Sequence, residues 1–370
     1  MIPLAALLDR IKDLASGEVF GTLEERYQDG EFSRTLWERM GETGLLGMTV
    51  PETYGGSGGT PAALAEAVGE FTRLGCDLGL SLSWITHLAL CMKSIEYFGT
   101  PEQKERYLPL LASGRWVGAT AVSEPDSGAH PAGIDTRAEE SDSGYTLSGR
   151  KIFVTDGPVA DLLVVLAVTG ETEEGKKELT AFLVETDTPG YEARPLELTF
   201  LKTSPHGELY FDGVVLSAGS VLSKRGDGHT LVSKEAFARE RSLVTAAVSG
   251  LFSAASREAA DVYRQKYEGL DFPGTEASSW MHHLSAIEVY RMVSTEMVEA
   301  SFIDYERWRR SLGLLVYLGL SYVKWASWID EFTTDKKLNP SFPMDIILND
   351  MKLVLVGSEL LLKEGKKLYL

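Results

Sequence analysis

Apolar residues recur at spacings of three and four through the first third of the chain. They predict helices over residues 4–14, 31–41, 60–74, 80–98 and 101–113. Thr100 ahead of Pro101 places a capping hydroxyl before a proline at the first helical position. Between the second and third helices, Val50-Pro51-Glu52-Thr53-Tyr54-Gly55-Gly56 is punctuated as a loop. From about residue 118 the pattern changes to short β-rich runs at 145–147, 151–154, 162–168, 179–184 and 208–211, divided by turn residues. Such spacing predicts a compact β-domain of barrel or sandwich form. Past Gly226 the helical period returns in long stretches at 229–266, 278–308, 311–333 and 343–368. The expected class is α+β: an N-terminal helical domain over 1–117, a central β-domain over 118–225 and a C-terminal helical bundle over 226–370.

Composition narrows the function classes. With 44% hydrophobic and 24% charged residues in 370, the chain reads as globular and soluble. A net charge of −18 argues against a nucleic-acid partner. The two cysteines, Cys76 and Cys91, lack metal-ligand spacing, so no metal site and no disulfide framework are expected, and a reducing, cytoplasmic setting fits. Residues 1–10 are too short and too lightly charged for a signal peptide. Ser321, Lys324 and Ser327 interrupt the apolar run at 312–329, which favours a buried helix over a membrane span. No glycine-rich dinucleotide turn and no Ser/His/Asp constellation stands out, and His282 and His283 sit on a predicted helix where a surface role is the default.

Five segments, in order and in register, resemble the acyl-CoA dehydrogenase family. Ala121-Val122-Ser123-Glu124-Pro125-Asp126-Ser127-Gly128 is similar to its (T/S)-E-P-x-x-G signature. Gly149-Arg150-Lys151-Ile152-Phe153-Val154-Thr155-Asp156-Gly157, followed by Ala160-Asp161, is similar to G-x-K-x-(W/F)-I-T-N-G. Upstream, the stretch from Gly44-Leu45 to Val50-Pro51-Glu52-Thr53-Tyr54-Gly55-Gly56 and the stretch Gly99-Thr100-Pro101-Glu102-Gln103-Lys104 match two further segments. Downstream, Phe342-Pro343-Met344-Asp345 through Asp350-Met351-Lys352 matches the fifth.

The resemblance implies FAD as cofactor. In the family the hydroxyl of the first motif and the aromatic-x-Thr of the second lie along the flavin ring. Ser123 and Thr155 would then donate hydrogen bonds to the isoalloxazine, Phe153 would cover one face, and Gly128 joins the cofactor-binding residues as the end of the first motif. The implied reaction is α,β-dehydrogenation of an acyl thioester, carried on CoA or on an acyl-carrier protein. Implied partners are an electron acceptor such as an electron-transfer flavoprotein and further subunits in a homo- or hetero-oligomer. The reaction requires a base beside the α-carbon, and the family supplies it from one of two positions. The commoner position corresponds here to Val356, which cannot take a proton. The other, used by members resembling isovaleryl- and long-chain acyl-CoA dehydrogenases, lies just before an arginine early in the helix after the β-domain. Here that stretch is Ala238-Arg239-Glu240-Arg241-Ser242, with Gly250 ten residues beyond the glutamate. Glu240 is the candidate base and Arg241 the candidate substrate-binding residue. Read without the family, a helical glutamate flanked by arginines is a surface ion pair.

Three elements depart from the family pattern, and in the family all three face the ADP half of FAD. Ala129-His130 replaces a Ser-Asp; Tyr267-Glu268-Gly269-Leu270-Asp271 replaces R-x-x-F-G; residues 333–341, with Lys336, Lys337 and Pro340, replace a glycine-rich loop. They leave a second reading open, a catalytically silent or FAD-sharing subunit of a hetero-oligomer.

Overall fold

The computed structural model describes residues 4–142, 144–230, 235–266, 274–310 and 342–350. Helices α1 (Leu4–Asp13), α2 (Leu23–Asp29), α3 (Arg34–Glu42), α4 (Pro61–Gly75), α5 (Leu78–Thr86), α6 (Lys93–Phe98) and α7 (Pro101–Ala112) build the N-terminal part. Side-chain caps start four of them: Ser33, Thr60, Asp77 and Thr100 each accept an amide of the first turn, and Gln103 completes a reciprocal box with Thr100. The single helix expected at 80–98 is α5 and α6 joined by a π turn at His87–Met92. This rod, Leu78–Phe98, is apolar and long enough to cross a bilayer, yet its apolar window is wholly buried in the fold, as befits a core helix. Helix α2 escaped the periodicity because its seven residues, Leu-Glu-Glu-Arg-Tyr-Gln-Asp, hold too few apolar positions to show a period.

Strands β1 (Gly118–Ala121), β2 (Arg137–Ser141), β3 (Gly144–Thr155), β4 (Leu162–Glu171), β5 (Lys177–Glu185), β6 (Tyr191–Leu196), β7 (His206–Ser217) and β8 (Val221–Leu222) form one sheet in the order β6-β7-β3-β2-β4-β5-β8. The runs at 145–147 and 151–154 are one strand, β3, whose pairing with β7 slips twice, between Leu147 and Gly149 and between Lys151 and Val154. Four strands lacked a legible pattern. β1 is four residues long and β8 two, β2 is Arg-Ala-Glu-Glu-Ser, and β6 carries Pro195, which confines it to an edge.

β4 explains how the sheet meets the helices. Its run Leu162-Leu163-Val164-Val165-Leu166-Ala167-Val168 does not alternate with polar residues because both faces are buried. Leu162, Val164, Leu166 and Val168 join the core of the helices, with Leu179, Ala181 and Leu183 of β5. Leu163, Val165 and Ala167 face the other way, into a cluster with Leu147, Phe182, Leu209, Phe211 and Val214 that the sheet folds around. β1 and β2 share one edge of β4 end to end, both parallel to it.

C-terminal helices α8 (Ala236–Lys266), α9 (Gly274–Ile303), α10 (Tyr305–Arg310) and α11 (Met344–Asp350) complete the described chain. α8 crosses α4 where a Cβ on Gly250 would lie 2.0 Å from the Gly69 carbonyl, so no larger residue fits there. The crossing fixes α8 against α4 and, ten residues upstream, the position of Glu240.

Two buried aspartates bolt the parts together. Asp77 caps α5, pairs with Arg26 at 2.7 Å and accepts from Thr203 of the β-domain. Asp350, from the fifth family-like segment, accepts from Tyr27 at 2.6 Å and from the Leu201 amide at 2.7 Å. A third bolt lies inside the β-domain. Lys151 is fully buried, and its ammonium reaches the Glu124 carboxylate at 2.8 Å and the Val122 carbonyl at 3.0 Å. Glu124 also accepts the amides of Asp135 and Thr136. Burial alone would raise the Glu124 carboxyl, but Lys151 and these hydrogen bonds bring it below its ordinary value, while burial lowers Lys151 to about 8 against the pull of Glu124.

Lys151→Met should cost about 3–5 kcal/mol of stability, because it strands a buried carboxylate. With Glu124 depressed in the fold, its stabilisation is present above the ordinary value of 4.5 and is lost as pH falls below it. Denaturant titrations at pH 7 and pH 4 check both points: the gap between wild type and variant should narrow in acid.

Candidate functional site

A cleft of about 510 Å³, open to solvent, lies between β-domain and helices. Ser123 follows β1, and Phe153 and Thr155 end β3. Thr86 and Leu90 come from the rod at its π turn, and Phe237 and Glu240 come from the first turns of α8. Phe237 and Glu240, three apart, share a helix face. The structure thus brings together Ser123, Phe153, Thr155 and Glu240, the last separated from Ser123 by more than a hundred residues.

Each wall residue is held by backbone devices. The Ser123 carbonyl accepts the Ile152 amide at 2.9 Å, which ties the turn after β1 to β3. Phe153 sits at φ +55, in the left-handed region rarely used by aromatic residues, at the pairing slip before Val154. That twist turns its ring outward, leaving it 60% exposed on the cleft wall. Asp156 is also left-handed, at φ +60, and its amide donates to the Pro205 carbonyl at 2.6 Å. Strain concentrated at two residues flanking Thr155 is what a site held in fixed geometry shows.

Two expected site residues lie off this wall. Gly128 does not line the cleft; its amide donates to the Glu124 carbonyl at 2.9 Å and it receives the Glu124 amide in return. Its φ of +57 explains the glycine as a turn requirement. Arg241 is half-buried and does not line the cleft either; its charge bears on Glu240 next to it. Glu240 itself is not the exposed ion-pair residue that a flanked helical glutamate suggests. It is half-buried, and burial pushes its carboxyl up to about 6, opposed by Arg241. Val356, Tyr267, Leu270 and residues 333–341 lie outside the described residues.

Sequence reasoning missed Thr120 and His206. Thr120 lines the cleft with a buried hydroxyl that has no partner among the described residues. An unpartnered hydroxyl, a half-buried serine and an outward-turned aromatic ring together fit a planar polar ring system such as isoalloxazine. His206 lies opposite Thr155 on β7, its Nε2 3.2 Å from the Thr155 hydroxyl. Only extending the strand expected at 208–211 back by two residues, through a register slip, would have placed it there.

Comparison with known proteins identifies the fold and the family. The profiles of the acyl-CoA dehydrogenase N-terminal and middle domains match residues 4–115 and 119–214. An acyl-CoA dehydrogenase of Bacillus subtilis is 34% identical over 259 residues, 70% of this chain and 67% of the relative. The chain belongs to the acyl-CoA dehydrogenase family. The mitochondrial isovaleryl-CoA dehydrogenase of Arabidopsis thaliana is 37% identical over 232 residues, 62% of this chain and 56% of the relative. The matched stretches thus span between about half and two thirds of these relatives' lengths. Among solved structures, butyryl-CoA dehydrogenase of Megasphaera elsdenii superposes with a TM-score of 0.84 at 25% identity, covering 99% of this chain and 98% of that one. The family is one of FAD-dependent oxidoreductases, and the α+β architecture of helices, β-domain and helices is its fold.

Asp156 gives a prediction about this site's frame. It is fully buried, one oxygen accepts from Ser83 at 2.6 Å, the other has no partner among the described residues, and burial raises its carboxyl to about 7. A carboxyl raised in the fold makes stability fall as pH climbs from its ordinary 3.8 to about 7. Asp156→Asn keeps the acceptor for Ser83 and tolerates the left-handed backbone. It should flatten that decline and leave the variant more stable at pH 8 by at least about 1 kcal/mol. Thermal melts across pH 4–8 measure it; a variant that tracks wild type at every pH would contradict the buried charge.

Proposed function

We propose that this protein catalyses FAD-dependent α,β-dehydrogenation of an acyl thioester, with Glu240 as the base. The supporting observation is that a half-buried carboxylate from α8 opens into the same cleft as Ser123, Phe153 and Thr155. FAD, when bound, supplies the hydride acceptor. The chain's own residues do the rest. Phe153 offers an aromatic face for the ring, and Ser123 and Thr120 offer hydroxyls along it. Leu90 and Phe237 give an apolar wall for the acyl group beside Glu240. Desolvation of the carboxylate raises its proton affinity, so at neutral pH it is ionised yet a stronger base than a free glutamate. The α-proton passes to Glu240 as the hydride leaves the β-carbon, and both must be aligned within one cleft. The placement of Glu240 supports an enzyme rather than a silent subunit.

The thioester is carried on CoA or an acyl-carrier protein, and the electrons leave to a protein acceptor such as an electron-transfer flavoprotein. Cys76 and Cys91 are buried free thiols, in keeping with a reducing cytoplasm. Arg241 lies off the cleft wall, and its charge favours the ionised form of Glu240.

Glu240→Gln should retain flavin and fold but lose substrate-dependent flavin bleaching by about a hundredfold or more. In wild type the bleaching rate should rise with pH through about 6 and level above it, because the base must be ionised. Stopped-flow absorbance with a series of acyl thioesters reads both. An unchanged rate in the variant would remove Glu240 from the mechanism.

A further inference from the structure

The hydroxyl of Thr155 has a partner on its protein side that decides what it can offer the cleft. Thr155 and His206 are register partners on β3 and β7, and Thr155 Oγ1 lies 3.2 Å from His206 Nε2. Across the imidazole, Nδ1 lies 2.8 Å from the Ser204 carbonyl. A carbonyl oxygen can only accept, so Nδ1 carries the proton. Burial lowers the ring's proton affinity, with the Ser204 carbonyl opposing, so at neutral pH the ring is uncharged and Nε2 holds a lone pair. The single Thr155 hydroxyl proton then points at His206, so toward the cleft that Thr155 lines the oxygen has only lone pairs to offer.

The ring cannot easily turn to a different arrangement. Ser204 meets Ser83 at 3.0 Å, Pro205 accepts the Asp156 amide, and His206 is itself in the sheet. Its cross-strand partners are Thr155 of β3 and Leu196 of β6, and the turn before it is held by Ser83 of α5 and by Asp156, which follows β3.

We propose that His206 is a positioning residue that holds the Thr155 hydroxyl as a hydrogen-bond acceptor toward the cofactor and thereby favours the reduced flavin. The inference rests on the reading that FAD binds this cleft. Oxidised isoalloxazine has a bare nitrogen where hydride arrives, and a lone pair there repels an acceptor hydroxyl. The reduced ring carries an N–H at that atom and can donate to it. This reverses the polarity that the motif alone implied, in which Thr155 donates to the ring. No residue of the reaction is replaced; what His206 sets is the flavin's readiness to accept electrons.

The test uses FAD-loaded protein and measures the two-electron midpoint potential by dye equilibration, with the FAD dissociation constant alongside. His206→Leu frees the Thr155 proton to serve the oxidised ring. The reduced-to-oxidised preference should fall about tenfold, one hydrogen bond's worth, which is about 30 mV lower for a two-electron couple. His206→Gln, whose side-chain carbonyl can still accept from Thr155, should restore most of the potential. In a Thr155→Val background His206→Leu should be silent, since the hydroxyl it acts through is gone. An unchanged potential in His206→Leu, an equal shift in the Thr155→Val background, or a glutamine variant as low as the leucine one would each overturn the proposal. Should His206→Leu not fold, nitrogen NMR of ring-labelled wild type decides it directly: a protonated Nε2 at pH 7 overturns the proposal and a bare one supports it. Wild type that never binds FAD would bring down the functional reading as well, whereas bound FAD with a flat potential series brings down this inference alone.

Discussion

The buried pair between Glu124 and Lys151 is the constraint on which the cleft depends. Two segments that carry the chemistry, the turn holding Ser123 and the end of the strand holding Phe153 and Thr155, are twenty-seven residues apart at these two positions. An ammonium with no exposure cannot be left without a carboxylate, and the carboxylate is completed by two backbone amides from the chain between them. Each charge therefore holds the other segment in place, and the Ser123-to-Ile152 backbone bond follows in register. The Glu of one motif and the Lys of the other do not line the cleft. They are why the residues that line the cleft arrive on the same wall.

Burial raises two carboxyls in this part of the molecule, with opposite consequences. Glu240 at about 6 opens into the cleft, where a strengthened base has a proton to take. Asp156 at about 7 is sealed between Ser83 and the 203–206 turn, where the same desolvation is a burden on stability. A perturbed carboxyl marks a functional site only when it has access, and here access separates the two.

The helical parts and the longest strands were legible because their patterns are strong: α4, the Leu78–Phe98 rod and the seven-residue apolar run of β4 are written in periodicity. The α2 helix and β2 were not, since their few apolar residues make no period, and β6 hides behind Pro195. Of the site, Ser123, Phe153, Thr155 and Glu240 could be named from motifs, because motif spacing encodes a shared surface that propensity does not. His206 and Thr120 were invisible, since their importance comes from facing Thr155 or the cleft across strand pairings that one sequence does not reveal. Gly128 does not line the cleft, and its left-handed turn and reciprocal bonds with Glu124 give the glycine a structural reason.

The double burial of β4 bears on how the chain can be cut. One of its faces belongs to the sheet's own interior and the other to the helices, with Leu162, Val164, Leu166 and Val168 all shielded by partners outside the β-domain. A fragment holding only the strands would present that face, and the companion residues of β5, as a continuous oily stripe to water. Such a stripe, on a sheet with edges at β6 and β8, invites association with other copies before it offers a soluble product. The change from helix to strand near Gly118 is easy to see in the sequence, yet an expression boundary placed there would divide a single folding unit.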